Sequence, residues 1–340
     1  MTRRLLVVAL VAAVLVAGGA VGVYARSGGR VQSTPARPAV RAPRAGAAGV
    51  PLDAATFATG SCVAYAPTAG HRHVTVFLDA GHGGIDPGAV GVDLAGHPIE
   101  ESQLTLPVEL DVLALLRAQG FRVVVSRTTD STVLRLTPVD RSGPYLSAQG
   151  VHDEVAARDI CADDAGAQAL VGIYYDSGAS PNNAGSIAAY DAVRPFAAAN
   201  QRLAALVQSG VLAAMNAHGW GIPDDGVSPD GGLGSLSGNP SDGGVAALAA
   251  RYDHLLLLGP AATGFFSTPS TMPGTIVEPL YLTDPFEGSI AESAVGQTAI
   301  ADGIATAVER FLAPAPPSVP TSPLPTPLLP RPVPRPVAPA

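Results

Sequence analysis

Lysine is missing from this sequence of 340 residues, and all 20 of its basic residues are arginine. We read that absence as coding bias. Basic residues are scarce overall: the segment 74–312 has 10 Arg against 27 Asp and Glu, a net charge of −17. A segment this acidic repels a phosphate backbone, so we expect no nucleic-acid partner.

Both ends of the chain lack the apolar periodicity of a folded core. Residues 1–30 begin Met-Thr-Arg-Arg and run apolar from Leu5 to Ala25, which predicts an export signal to the cell wall or the medium. Small residues around Ala25 favour cleavage, but the run is long enough to span a bilayer as an uncleaved anchor, so membrane association stays open. Residues 31–73 are predicted to be a Pro/Ala/Arg-rich linker and residues 313–340 a Pro-rich disordered tail, which leaves 74–312 as the domain.

Cysteine is almost absent, and the two that occur, Cys62 and Cys161, have no Cys-x-x-Cys spacing. This argues against a thiolate metal site. An even cysteine count in an exported chain instead favours a disulfide between them, which would tie Ser61–Tyr65 onto the domain.

The most informative stretch is Val74–Gly91, VTVFLDAGHGGIDPGAVG. A β-branched apolar run ends in Asp79, and a glycine-dense turn then places His82 just past the strand. The simplest interpretation is a glycine-rich turn with one exposed histidine. A phosphate-binding loop is excluded, because no Lys, Ser or Thr follows at the required spacing.

This stretch resembles the opening motif of the zinc-dependent N-acetylmuramoyl-L-alanine amidases, D-P-G-H-G-G-x-D-P-G-A-x-G, with Ala80 in place of the proline. Those enzymes cut the amide between muramic acid and the peptide stem of peptidoglycan. The resemblance therefore implies a zinc cofactor and a peptidoglycan substrate.

The pattern of the domain predicts an α/β fold, with a mixed, largely parallel central sheet of about six strands and helices on both faces. Further strands are predicted at Phe121–Ser126, Ala169–Tyr175, Ser186–Tyr190, His254–Leu258 and Thr275–Leu280. Helices are predicted from near Thr105, with Pro107 in the first turn, over Asp153–Gly166 and Phe196–Ala217, and over a final stripe from Ile300 to Phe311.

The resemblance also implies the site residues. His82 matches the first zinc ligand, Glu101 the second, and Glu278 the catalytic carboxylate. Asp79, Arg127 and Asp176 are expected to support the ligands or to contact substrate, although a structural ion pair is the simpler interpretation of Arg127.

The third ligand breaks the pattern, because the family's second histidine falls on Tyr174. Tyr174 binds zinc as a phenolate, or another group such as Asp176 or a distant histidine replaces it, or the metal is bound weakly and the chain holds peptidoglycan without cutting it. Among the spare histidines His254, beside Asp253, has the best claim, and we interpret it as a supporting or structural residue. The main hypothesis is an exported zinc amidase; the alternative is an impaired relative that binds peptidoglycan or regulates an active hydrolase.

Overall fold

The computed structural model describes residues 49–233 and 244–314 of the chain. The predicted export signal or anchor, most of the predicted linker and nearly all of the proline-rich tail lie outside these residues. Within the described part, every helix is too short or too polar to cross a lipid bilayer.

The centre of the molecule is an eight-stranded mixed sheet in the order β1-β2-β6-β3-β9-β12-β10-β11, with two small hairpins, β4-β5 and β7-β8. The strands are β1 Val50–Pro51, β2 Ser61–Tyr65, β3 Thr75–Ala80, β4 Val90–Val92, β5 Pro98–Glu100, β6 Arg122–Arg127, β7 Arg141–Ser142, β8 Tyr145–Leu146, β9 Ala169–Ile173, β10 Ser186–Tyr190, β11 Asp224–Pro229 and β12 Gly274–Glu278. The helices are α1 Glu101–Ala118, α2 Ala148–Asp164, α3 Ala197–Asn216, α4 Gly244–Tyr252, α5 Pro285–Glu292 and α6 Ala294–Phe311, with one 3-10 turn at Pro138–Asp140. The predicted fold class is confirmed.

The two faces of the sheet are covered by different helices, because alternate strand residues point to opposite sides. Val76 and Leu78 of β3 join a core formed with α1, α3 and α6, whereas Phe77 joins a second core with α2. The central strands are buried on both faces, which explains their continuous apolar sequence.

Strand direction decides which residues meet. Strands β6, β3, β9 and β12 run parallel to one another, so their carboxyl ends lie along one edge of the sheet. Strand β10 pairs antiparallel with β12, and β11 runs parallel to β10. The carboxyl ends of β10 and β11 therefore lie at the opposite edge.

Three local predictions were wrong. His254–Leu258 forms a turn, with Leu258 N donating to Leu255 O. The run of leucines there reflects burial, because Leu257 and Leu258 belong to the second core. Pro107 lies inside α1 because the helix begins earlier, at Glu101. Part of the predicted linker belongs to the fold, since β2 pairs with β6 and all five of its residues are buried.

Cys62 of β2 and Cys161 of α2 form a disulfide, as predicted. Both sulfurs are fully buried in the second core, and the bond spans 99 positions of sequence. Closing so long a loop restricts the unfolded chain and is worth about 4–5 kcal/mol on the chain-entropy model.

Candidate active site

Four residues singled out in the sequence lie where the parallel strands end. His82 follows β3, Glu101 opens α1, Tyr174 follows β9 and Glu278 ends β12. In an α/β sheet this edge is where loops present polar groups to a ligand. The fold thus brings distant parts of the sequence to one place.

His82 and Glu101 are in direct contact. His82 Nε2 lies 3.2 Å from Glu101 Oε2, and His82 Nδ1 lies 2.8 Å from Asp86 Oδ2. Glu101 is buried and fixed by the backbone, since its Oε2 accepts from Ala89 N and its Oε1 from Tyr175 N. Backbone N–H groups thus hold Glu101, and the side chains of Asp86 and Glu101 hold His82.

Asp86 sets the chemical state of the histidine. A carboxylate at Nδ1 favours a proton on that nitrogen, which leaves the Nε2 lone pair facing the Glu101 carboxylate. Two acceptors at 3.2 Å repel unless a positive charge lies between them, either a second imidazole proton or a cation. Burial alone would lower the pKa of His82, but Glu101 and Asp86 raise it well above its ordinary value.

The separation of these two atoms also fits a shared metal. Two ligands that each lie 2.0–2.2 Å from a tetrahedral zinc ion are about 3.3–3.5 Å apart. His82 and Glu101 are therefore suitable as two of the ligands that the family resemblance implies.

The backbone around His82 is shaped for this contact. His82 itself has φ +60°, a left-handed conformation that is uncommon outside glycine. A Cβ at Gly88 would lie 2.6 Å from both Glu101 Oε2 and the His82 ring, so only glycine leaves room for the pair. Local strain and close packing concentrate at this turn.

Glu278 belongs to the same cluster of charges. Burial raises its pKa well above the ordinary value, the carboxylates of Asp176 and Glu101 raise it further, and His82 acts in the opposite direction. Asp176 is buried too, and its Oδ2 has no hydrogen-bond partner within the described part of the chain. Burial likewise raises the pKa of Asp176. The acids of this cluster therefore oppose one another's ionisation.

Tyr174 does not complete a ligand set in this structure. Its hydroxyl donates to Asp79 Oδ2 at 2.9 Å, and the other Asp79 oxygen is paired with the Arg158 guanidinium. Burial and the negative charge of Asp79 raise the pKa of Tyr174 well above its ordinary value, so the phenol stays neutral. Its ring packs edge-on to His82, with 5.5 Å between centroids. Asp79 thus orients Tyr174 and binds Arg158.

Arg127 acts on the backbone of the site. The guanidinium is fully buried and donates to the carbonyls of Ala80, Gly81 and Ser102 and to Thr105 Oγ1. These bonds connect the turn before His82 to the first turn of α1. The Arg127 guanidinium therefore binds backbone carbonyls rather than forming the ion pair that the simpler interpretation predicts.

Two residues of the site are not assigned a role in the sequence analysis. Asp86 contacts His82 from four positions later in the same tight loop, and this spacing is a signal that the sequence contains. Arg158 of α2 donates to the carbonyls of Ala80 and His82 and pairs with Glu154, which fixes the turn from the other side.

Comparison with known proteins gives one matching family. The model of Amidase_3, described as N-acetylmuramoyl-L-alanine amidase, matches residues 76–310. None of the curated proteins compared with the sequence is significantly similar to it.

Several solved structures are similar to this chain. CwlD amidase from Clostridioides difficile, solved in complex with the GerS lipoprotein, is 17% identical with a TM-score of 0.51, and the match covers 70% of this chain and 98% of that one. AmiC2 of Nostoc punctiforme is 22% identical (TM-score 0.47, 72% of this chain and 99% of that one). Ami1 from Mycobacterium smegmatis is 18% identical (TM-score 0.47, 72% and 98%).

The family match covers well over half of the sequence and includes His82, Glu101, Tyr174 and Glu278. The predicted resemblance is therefore confirmed. This chain belongs to the Amidase_3 family of N-acetylmuramoyl-L-alanine amidases, hydrolases that act on peptidoglycan.

Proposed function

We propose that this chain hydrolyses the amide between N-acetylmuramic acid and L-alanine in peptidoglycan. The observation that carries the proposal is the contact of His82 Nε2 with Glu101 Oε2 at 3.2 Å. Glu278 ends β12 at the same edge of the sheet, and its pKa is raised by burial and by the charges of Asp176 and Glu101 and lowered by that of His82. A nitrogen donor, a carboxylate ligand and a further acid at one edge of the sheet are the groups that amide hydrolysis by an activated water requires.

Glu278 is assigned the proton transfers. A raised pKa makes the ionised Glu278 carboxylate a stronger base, which suits a group that accepts a proton from water and then, as the acid, returns it to the leaving amine. Its apolar neighbours Ile187 and Ile276 keep the local dielectric low. Asp176 adds a second acid beside it.

His82 and Glu101 would hold the zinc ion implied by the family. When bound, zinc polarises the scissile carbonyl and makes a coordinated water easier to deprotonate. Tyr174 is left out of this assignment because its hydroxyl donates to Asp79. We expect a site with two strong protein ligands to bind zinc more weakly than one with three.

Export follows from the substrate, because peptidoglycan lies outside the cytoplasmic membrane. We propose that residues 1–30 act as a signal peptide or membrane anchor and that the linker and the proline-rich tail place the domain at the wall. Residues 49–73 are excluded from that linker, since part of them builds β1 and β2.

A second candidate function is a peptidoglycan-binding or regulatory relative without hydrolysis. The engagement of Tyr174 with Asp79 favours it, because the family's second histidine is then not replaced by an equivalent donor. The two candidates differ in whether amide bonds are cut.

An assay on purified cell-wall sacculi distinguishes the two candidate functions. The wild-type chain is expected to release new L-alanine amino termini, while Glu278→Gln is expected to reduce the rate by about 100-fold or more and to keep binding to sacculi. Glu292→Gln, an exposed acid on α5, is the matched control and should leave the rate unchanged.

Because the chain has no lysine, new amino groups can be counted with little background from the enzyme. Binding of wild type to sacculi without any release of amino termini would reject hydrolysis and support the second candidate. Equal rates for wild type and Glu278→Gln would reject the role given to Glu278.

A further inference from the structure

A second group of potential metal ligands lies at the other edge of the sheet. Asp191, Asp230 and His254 each offer one ligand atom, and these atoms all lie within 4.8 Å of one another. Among the described residues this is the only set of three His, Cys, Asp or Glu side chains that meets that distance.

The fold brings these residues together through strand pairing. Strands β10 and β11 are parallel and in register at Tyr190 and Pro229, so the next residues, Asp191 and Asp230, emerge side by side. Asp230 N donates to Tyr190 O at 2.9 Å and fixes that alignment. His254 arrives two residues after α4, following Asp253 with φ +59°.

Backbone hydrogen bonds fix one oxygen of each carboxylate, Asp191 and Asp230. Asp191 Oδ1 accepts from the backbone N–H groups of Val193 and Arg194, and Asp230 Oδ2 accepts from Leu255 N. Both side chains are fully buried, whereas a fifth of the His254 side chain is exposed. The remaining oxygens, Asp191 Oδ2 and Asp230 Oδ1, face the imidazole.

His254 Nδ1 lies 3.3 Å from Asp191 Oδ2 and 3.2 Å from Asp230 Oδ1. These separations match the 3.3 Å or so expected between neighbouring ligands of one tetrahedral zinc ion. Asp191 Oδ2 has no hydrogen-bond partner among the described residues, although it is buried and directed at the imidazole.

One imidazole proton does not serve both carboxylates. The nitrogen carries at most one N–H, which is directed at Asp230, and Asp191 Oδ2 is left without a hydrogen bond. The neighbouring Arg194 guanidinium is directed away, to the carbonyls of Leu258, Gly259 and Ser270. An unpaired buried carboxylate costs free energy that a divalent cation would recover.

We propose that Asp191, Asp230 and His254 form a second metal site that binds a divalent transition metal, zinc by its donor set, through Asp191 Oδ2, Asp230 Oδ1 and His254 Nδ1. The exposed side of His254 leaves a path for entry and a fourth position for water. The site is structural: it joins the ends of β10 and β11 to the segment after α4, on the sheet edge opposite His82 and Glu101.

The test uses metal binding rather than hydrolysis, so its failure is distinct from failure of the proposed function. The full chain carrying His82→Gln, which removes the nitrogen donor of the other site, is stripped with a chelator and titrated with Zn²⁺ and with Co²⁺. We expect one ion per chain, and an intense visible Co²⁺ spectrum of low coordination number.

Adding Asp191→Asn or His254→Gln in that background is expected to weaken Zn²⁺ binding by about 100-fold or more and to abolish the Co²⁺ spectrum. His97→Gln is the matched control, because His97 pairs with Asp93 through the same kind of contact, 2.9 Å from Nδ1 to Oδ2, but is largely exposed and has no second carboxylate. It should leave binding unchanged.

The rise in unfolding temperature on adding Zn²⁺ provides a second readout that needs only folded protein. We expect this rise in unfolding temperature for the His82→Gln chain, and no rise once Asp191→Asn or His254→Gln is added. Absence of bound metal in the His82→Gln chain, or binding unaffected by both further changes, would overturn the proposal and leave His254 as a hydrogen-bonded structural residue.

Discussion

Tyr174, which the family resemblance aligns with a ligand histidine, makes a structural interaction in this chain. Its hydroxyl donates to Asp79 Oδ2, and its ring packs against Gly81, where a Cβ would lie 2.5 Å from the ring. Asp79 connects two side chains here, since it accepts from the Tyr174 hydroxyl and pairs with the Arg158 guanidinium. At the scale of one residue, the Tyr174 hydroxyl therefore serves a structural hydrogen bond.

Tyr174→Phe tests this assignment. Because the hydroxyl is a donor to Asp79 and not a ligand, we expect zinc affinity to stay within about twofold, while the free energy of unfolding falls by about 1–3 kcal/mol as Asp79 Oδ2 loses its partner. Zinc titration and urea unfolding of the same samples measure both quantities.

Tyr174→His is the complementary change. An imidazole beside His82 and Glu101 is expected to raise zinc affinity by about tenfold or more. A large loss of zinc with Tyr174→Phe would instead make the phenolate a true ligand and contradict the assignment.

At the scale of elements, Glu109 connects helix α1 to two strands. Its Oε1 accepts from Ala80 N at the end of β3 and from the N–H and hydroxyl of Ser126 in β6. The side chain is fully buried, and Oε2 has no hydrogen-bond partner among the described residues. Burial raises the pKa of Glu109 to about 8.

This shift predicts a pH dependence of stability. The folded chain binds the Glu109 proton more tightly than the unfolded chain, whose pKa is near 4.5. The stabilisation is fully present below about pH 4.5 and is lost as the pH rises through about 8. Glu109→Gln keeps an oxygen acceptor without the charge, so we expect its free energy of unfolding to fall less between pH 5 and 8, by an amount on the order of 1–3 kcal/mol.

Urea unfolding at a series of pH values measures this difference, with Glu292→Gln as the exposed control. Parallel curves for Glu109→Gln and wild type would show that the Glu109 carboxyl does not titrate differently on folding.

At the scale of the molecule, the sequence predicted the fold class and most central elements because buried parallel strands and long helices have strong periodic patterns. It failed where tertiary context decides: the leucines near His254 are buried in a turn, and β2 is short and follows a sequence of linker-like composition. The family resemblance singles out His82, Glu101 and Glu278, and the fold brings them to one edge of the sheet, while their roles stay predictions. The orientation of Tyr174 depends on Asp79, Arg158 and Gly81, which the sequence alone does not bring together.

The domain boundary gives a prediction at the same scale. A chain of residues 74–314 lacks β2, which covers the edge of β6, and lacks the disulfide. We expect its free energy of unfolding to be lower than that of residues 49–314 by at least about 4 kcal/mol, from lost apolar burial and the lost cross-link. Chemical denaturation of the two chains measures the difference, and equal stability would place β2 outside the cooperative unit.

If the chain is exported as proposed, the disulfide between β2 and α2 forms only after the chain has left the cytoplasm. Thiols stay reduced in the cytoplasm, so the newly made polypeptide is less stable there and more easily kept in the extended form that translocation needs. Oxidation after translocation then fastens strand to helix behind the turn that holds His82. A hydrolase able to damage its own cell wall would in this way reach full rigidity only where its substrate is.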